Sequence, residues 1–258
     1  MADCRFVSEY PALVRHRAEQ AAAARARRRR LWILLPLVLL AFWAFSVAPP
    51  FGLFVAAVSA GVVFFATIPG GTSVASSDLA GVEGEVAVLE RLKRLPDDYL
   101  VFNRVRLPDA QLPNGWRELD FVIAGPTGIW IVEVKNTPGH VYVQPDARHW
   151  PLARRAGCGS RPSWNAMDNP IGQVRAQREA LARWFLSHSI VVEPRPMVCL
   201  SHPEVAIDNA EASPVPVRVR DAVAGTIESA SARSLPPGAI ETLIGLRTDR
   251  ASARVQAA

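Results

Sequence analysis

Three charged residues sit where an ordinary buried strand carries none. Asp120, Glu133 and Lys135 lie in the stretch Glu118–Asn136, ELDFVIAGPTGIWIVEVKN, whose other residues are mostly Val, Ile, Phe and Trp. Such runs form half-buried or buried strands. Between the two runs, Gly125-Pro126-Thr127-Gly128 has the composition of a tight turn, with Pro second and Gly fourth. The expected element is a β-hairpin. With Pro126-Thr127 as a two-residue loop, Ala124 pairs with Ile129 and Asp120 falls opposite Glu133. Directly opposed residues lie roughly 5 Å apart at Cβ. Two carboxylates that close repel, and burying either without a partner is costly. A divalent cation between them removes the conflict, and hard oxygen ligands suit Mg²⁺ or Mn²⁺. Strand side chains alternate, so Lys135 shares the face of Ile129, Ile131 and Glu133 and aims its ammonium at the same place. A loop one residue longer would slip the register and break the pairing. The competing account is an edge hairpin whose Glu and Lys only keep the edge soluble.

The elements around the hairpin must position these groups. Val82–Leu95 has helical periodicity, stopped by Pro96. At 100° per residue, Val82, Val88, Leu89, Leu92 and Leu95 form one stripe with Glu85 in its middle. A carboxylate there needs a partner or a metal, or it only complements the helix dipole. Tyr99–Leu107 reads as a strand and Pro108–Gly115 as a loop. HVYVQPDARHW suggests a short strand and a turn, with His140 and His149 as possible ligands. Pro151–Trp164 reads as a basic loop whose Arg154, Arg155 and Arg161 either contact phosphates or are simply solvated. Asp168-Asn169-Pro170 is a strong helix start. The helix that follows centres its apolar side on Val174, Leu181 and Phe185. Gln173 and Gln177 lie along one flank, one turn apart, where their amides reach the site or border solvent. Pro196–Ser201 and Val215–Arg220 read as strands, Ala222–Ala232 and Pro237–Leu246 as helices, and the last dozen residues as a frayed tail.

The chain has 258 residues, 50% of them hydrophobic, and a mean hydropathy of +0.12, which suggests a membrane portion. The first thirty residues hold eight arginines against three acids, a surplus equal to the net charge of +5 for the whole chain. Global basicity therefore says nothing about nucleic acid. The asymmetry points to a membrane surface, with Arg27, Arg28, Arg29 and Arg30 at anionic headgroups; a nucleic-acid-binding arm is the alternative. Residues 31–48 and 51–68 are uncharged runs separated by Pro49-Pro50, each near the lower limit for crossing about 30 Å of hydrocarbon. The resulting division is a basic cytoplasmic helix over 1–30, two transmembrane helices over 31–69, a linker over 70–78, a folded domain over 79–205 that carries the hairpin, and a C-terminal extension of it with a frayed tail over 206–258. Arginines before the first span put the N-terminus, and after two spans the domain, on the cytoplasmic side of the inner (cell) membrane. Cys4, Cys158 and Cys199 form no C-x-x-C, so neither a zinc knuckle nor a disulfide framework is indicated.

Three blocks, GVEGEVAVLERLKRLPDDYLVFNRVRLP, ELDFVIAGPTGIWIVEVKN and NPIGQVRAQREAL, in this order and spacing, resemble the nuclease-related domain (NERD) family, which is grouped with the PD-(D/E)XK nucleases. The resemblance spans about Leu79–Ser201 and leaves out the apolar segment and the last fifty or so residues. It implies an α/β fold, a restriction-endonuclease-like core with a central mixed sheet flanked by helices. It also implies a site of Glu85, Asp120, Glu133, Lys135 and Gln173. Asp120 and Glu133, with Glu85, would bind Mg²⁺ or Mn²⁺. Lys135 would orient water or stabilise developing charge, and Gln173 would position a ligand or the phosphate. The implied activity is metal-dependent hydrolysis of phosphodiester bonds in nucleic acid, DNA favoured over RNA. A catalytically inactive binding or scaffold domain tethered to the membrane is the alternative. A nucleotide sensor lacks any Gly-rich phosphate loop.

Overall fold

The computed structural model describes residues 1–47, 76–154 and 163–246. The chain divides into two compact units, one of Tyr10–Leu79 and one of Met1–Glu9 with Ala80 onward.

In the first unit, helix α1 spans Pro11–Val47. Nothing before Leu31 breaks a helix, so the basic stretch and the start of the apolar run form one element. Among the described residues no helix is long and apolar enough to cross a membrane. The expected two-span anchor is therefore not shown, and neither is a bilayer or headgroup partner. The second expected span, 51–68, lies outside the described residues, as do the side chains of Arg27, Arg29 and Arg30.

The second unit is a mixed α/β fold. Helix α2 (Ser76–Leu92) precedes strand β1 (Leu100–Pro108), then β2 (Trp116–Gly125) and β3 (Gly128–Lys135) form the hairpin. Strands β4 (Gly139–Tyr142), β5 (His149–Arg154) and β6 (Ser163–Asp168) follow. Helix α3 (Pro170–Ser187), β7 (Arg195–Leu200), β8 (Val205–Asp208), β9 (Val217–Val219) and helix α4 (Val223–Glu228) complete the named elements. A last helix covers 239–246.

The strands make two sheets, β1-β2-β3-β7-β9 and β6-β5-β4-β8. In the first, β1–β2 and β2–β3 are antiparallel while β7 joins β3 in parallel. The sheet is covered on both sides, and β3 is buried from Gly128 to Val134, as expected for a central strand. Ile129, Ile131, Val198 and Leu200 share a core with Val174, Leu181 and Phe185 of α3. The alternate residues Phe121, Ile123, Val132 and Met197 are fully buried too. Helix α2 closes against the ends of β3 and β7 at Gly84, where a Cβ would lie 2.5 Å from Ser201 Oγ and 2.6 Å from Asn136 Cβ. Only glycine permits that approach.

Three departures from the sequence reading stand out. Helix α2 begins at Ser76, so the end of the expected linker is helical. The expected loop Pro151–Trp164 is instead the end of β5 and the start of β6; residues 155–162, with Arg155 and Arg161, lie outside the described part. Met1–Glu9 are not part of the N-terminal helix but clasp β1. Asp3 bridges Leu100 in parallel, Phe6 stacks on Phe102, and the buried Asn103 accepts from the Ser8 N–H at 2.7 Å and donates to the Ser8 carbonyl at 3.0 Å. A polar Asn in an apolar strand carries this clasp because both its amide groups are satisfied.

Candidate active site

The hairpin closes as the turn chemistry dictates, with Gly125 paired to Gly128 and Ala124 to Ile129. Gly128 has φ +100°, a conformation that favours glycine. The ladder continues to Phe121–Val132 and ends there. Asp120 and Glu133 occupy the next register position. Beyond it β2 stays paired to β1 as far as Trp116–Pro108, and β3 stays paired to β7 as far as Lys135–Leu200. The two strands part at the carboxylates. Asp120 Oδ2 accepts the Val134 N–H at 2.7 Å, so a side chain takes the place of a ladder bond at the fork.

The β1–β2 ladder skips the same level, Arg104 against Asp120. Arg104 has φ +49°, a left-handed conformation costing about 1–3 kcal/mol in a non-glycine residue. Its Nε donates to Glu118 Oε1 at 3.0 Å, and Arg106 Nε donates to Glu118 Oε2 at 2.8 Å. Burial pushes the Glu118 carboxyl up, but the Arg106 and Arg104 hydrogen bonds outweigh it and hold the group below its ordinary value.

Helix α3 brings two amides to the fork. Its start is fixed by Asn169, whose Oδ1 accepts the Ile171 N–H, and by Pro170 in the first turn. Gln177, 1% exposed, donates to Glu133 Oε2 at 2.6 Å and to the Glu118 carbonyl at 3.3 Å. Its own Oε1 is buried without a partner. Gln173, one turn earlier and exposed, accepts from Lys135 Nζ at 2.9 Å. Lys135 Nζ also lies 2.7 Å from Glu133 Oε1, with the Glu133 side chain 2% exposed. Both oxygens of Glu133 are thus held, one by an ammonium and one by an amide.

Asp120 experiences the sum of these placements. Burial first, then the charges of Glu133 and Glu85, raise its carboxyl well above the ordinary carboxylate range; the Val134 N–H and Lys135 oppose them. Glu85 of α2 therefore lies within electrostatic reach of the fork. Among the described residues no three Asp, Glu, His or Cys side chains are gathered closely enough to hold a metal ion. The expected Asp120–Glu133–Glu85 set is not preassembled, because Lys135 and Gln177 engage Glu133 and Val134 engages Asp120.

The structure brings Asp120, Glu133, Lys135 and Gln173 to one fork, with Glu85 beside it. It adds Gln177 to Glu133, a role foreshadowed by its i, i+4 spacing from Gln173. Arg104 and Arg106 were missed; their alternation in β1, opposite Asp120 and Glu118, was the available signal. The two histidines weighed as ligands each face one carboxylate instead, His140 to Asp208 at 2.8 Å and His149 to Asp168 at 3.0 Å.

The central mixed sheet with its flanking helices thus forks at an Asp and a Glu-x-Lys. Residues 80–201 match the family model of the nuclease-related domain, NERD, so this part of the chain is a domain of that family; the fold is consistent with the PD-(D/E)XK superfamily. No curated protein and no solved structure gives a significant match.

Proposed function

We propose that the domain hydrolyses phosphodiester bonds in nucleic acid, DNA before RNA, with the help of a divalent cation, Mg²⁺ or Mn²⁺. The observation that carries the reading is the buried anionic fork. Burial first, then Glu133 and Glu85, push Asp120 toward protonation, while the Val134 N–H and the Lys135 ammonium oppose them. A divalent cation fits that donor chemistry, held by Asp120 and Glu133 with Glu85 adding negative charge nearby. When bound, it supplies Lewis acidity toward a phosphate oxygen and a water. Lys135, steadied by Gln173 and Glu133, donates hydrogen bonds to the water or to the charge developing on the phosphate. Gln177 fixes the Glu133 carboxylate, so this ligand is oriented before substrate arrives.

Incubating the full chain with plasmid, linear DNA and RNA, in Mg²⁺, Mn²⁺ or EDTA, tests the reading beside Asp120→Ala and Lys135→Ala. Metal-dependent cleavage lost in both variants, their folds intact by circular dichroism, supports it. No cleavage of any substrate, or equal cleavage by the variants, overturns it in favour of a non-catalytic binding domain. Attachment to a bilayer through residues 31–69 is a proposal from sequence alone, tested by whether the chain stays with membranes after an alkaline wash.

A further inference from the structure

We infer that Arg104 and Arg106 form a phosphate clamp on the β2 side of the fork, where they hold the nucleic-acid backbone beside the bond to be cut. This rests on the nucleic-acid reading and deepens it by naming the residues that seat the substrate. Both side chains end on one carboxylate. Arg104 Nε donates to Glu118 Oε1 at 3.0 Å, and Arg106 Nε donates to Glu118 Oε2 at 2.8 Å. Among the described residues neither guanidinium has a second hydrogen-bond partner, so the Nη groups are uncommitted. Two cations share one anion, which leaves a unit of positive charge over. The paired Nη groups of an arginine are the edge that fits a phosphate through two parallel hydrogen bonds. The side chains of Arg104 and Arg106 are 26% and 45% exposed, so a phosphate reaches them from solvent.

A network that only stabilises the sheet does not explain this arrangement. Partly exposed ion pairs contribute little to stability. Arg104 takes a left-handed φ of +49° to join this one, and that strain costs more than such a pair contributes. Left-handed residues other than glycine cluster at functional sites. Arg104 lies level with Asp120, at the one position the β1–β2 ladder skips.

The clamp and the reacting groups stand on the two sides of the parting of β2 from β3. Glu133 and Lys135 belong to the β3 side, and Glu118 with its two arginines belongs to the β2 side. Gln177 spans the gap, donating to Glu133 Oε2 at 2.6 Å and to the Glu118 carbonyl at 3.3 Å. The residue that orients the arginines is thus one amide away from the buried carboxylate. Lys135 acts on the Asp120 carboxyl, whereas Arg104 and Arg106 are not among the charges that do. The guanidiniums therefore stand clear of the reacting phosphate and meet the one next to it along the strand.

The test measures fluorescence anisotropy of a short labelled DNA duplex, and of one of its strands, against the full chain in EDTA over a range of salt. Arg104→Gln and Arg106→Gln should each lower the slope of log affinity against log salt by about 0.9 on the duplex and about 0.7 on the single strand, and the double variant by about twice as much. The arginines of residues 1–30 are the same in wild type and variants, so the difference in slope isolates the clamp. Arg106→Lys keeps the charge and should keep the slope, which a loss of fold would not allow. Arg178→Gln removes an arginine paired to Glu193 and should leave the slope unchanged. An unchanged slope in the double variant, an equal loss for Arg178→Gln, or no binding of either oligonucleotide by wild type overturns the inference. Anionic vesicles that bind through Arg106 in place of the oligonucleotides also overturn it. Cleavage by wild type together with an unchanged slope in the double variant sinks this inference alone. A lowered slope without cleavage of any substrate keeps it and removes the nuclease.

Discussion

The two sheets treat their reactive groups in opposite ways. The first buries charge: Glu133 is 1% exposed, and the ladder gives way at the level of the carboxylates. The second exposes rings, and its ladder runs from His140 through Ala153 to Trp164. Burying charge raises its energy and its reactivity together, so the first sheet must be covered and braced by α3. Exposing a ring costs little, and the rings here lie against one another. The difference predicts which substitutions injure activity, which injure folding and which injure neither.

The largest effect is expected at the fork. Lys135→Ala should lower the rate of cleavage by about 10²–10³-fold, the range for losing one preorganised donor, with the fold retained. Initial rates on the preferred substrate check it; a rate within a factor of about two of wild type takes Lys135 out of the chemistry. Gly139→Ala reverses the comparison by striking the second sheet. Gly139 has φ +110°, and an added Cβ would lie 2.5 Å from the Ala153 carbonyl oxygen. A loss of about 1–3 kcal/mol in urea unfolding is expected.

Gln177→Leu should cost about 1.5–3 kcal/mol, the scale of a hydrogen bond to a charged group, and should lower activity as well. Asp120→Asn should do the opposite. Burial and the neighbouring carboxylates raise the folded carboxyl above its unfolded value. The native state therefore holds its proton longer, and stability present below the unfolded pKa is lost as pH rises through the folded one. The variant should melt higher than wild type near pH 7 and level with it near pH 4; equal curves at both would show that Asp120 is not strained. Smallest of all, Trp164→Ala alone should change unfolding stability by less than about 0.5 kcal/mol, as expected for an exposed side chain.

The sequence made the first sheet legible and the second nearly opaque, and the contrast has a physical cause. The Gly125–Gly128 turn admits one register, and apolar runs on both sides leave no other face for the charges. Asn169-Pro170 fixes where α3 begins, hence which flank carries Gln173 and Gln177. β5 alternates at Trp150 and Leu152, but its proline hides the strand, and β6, SWNAMD, is exposed almost throughout and shows no alternation. Their pairing comes from tertiary context. The parting of β2 from β3, the left-handed Arg104 and the clasp of Met1–Glu9 depend on contacts between distant segments that no local pattern encodes.

That clasp makes the segment between Tyr10 and Leu79 an excursion with both ends fastened to one object. The chain leaves the domain at Glu9 and re-enters at Ala80. Any barrier the excursion engages has its start and finish on one side. A bilayer it enters is left through the same leaflet or crossed an even number of times, since a single crossing would part Ser8 from Asn103.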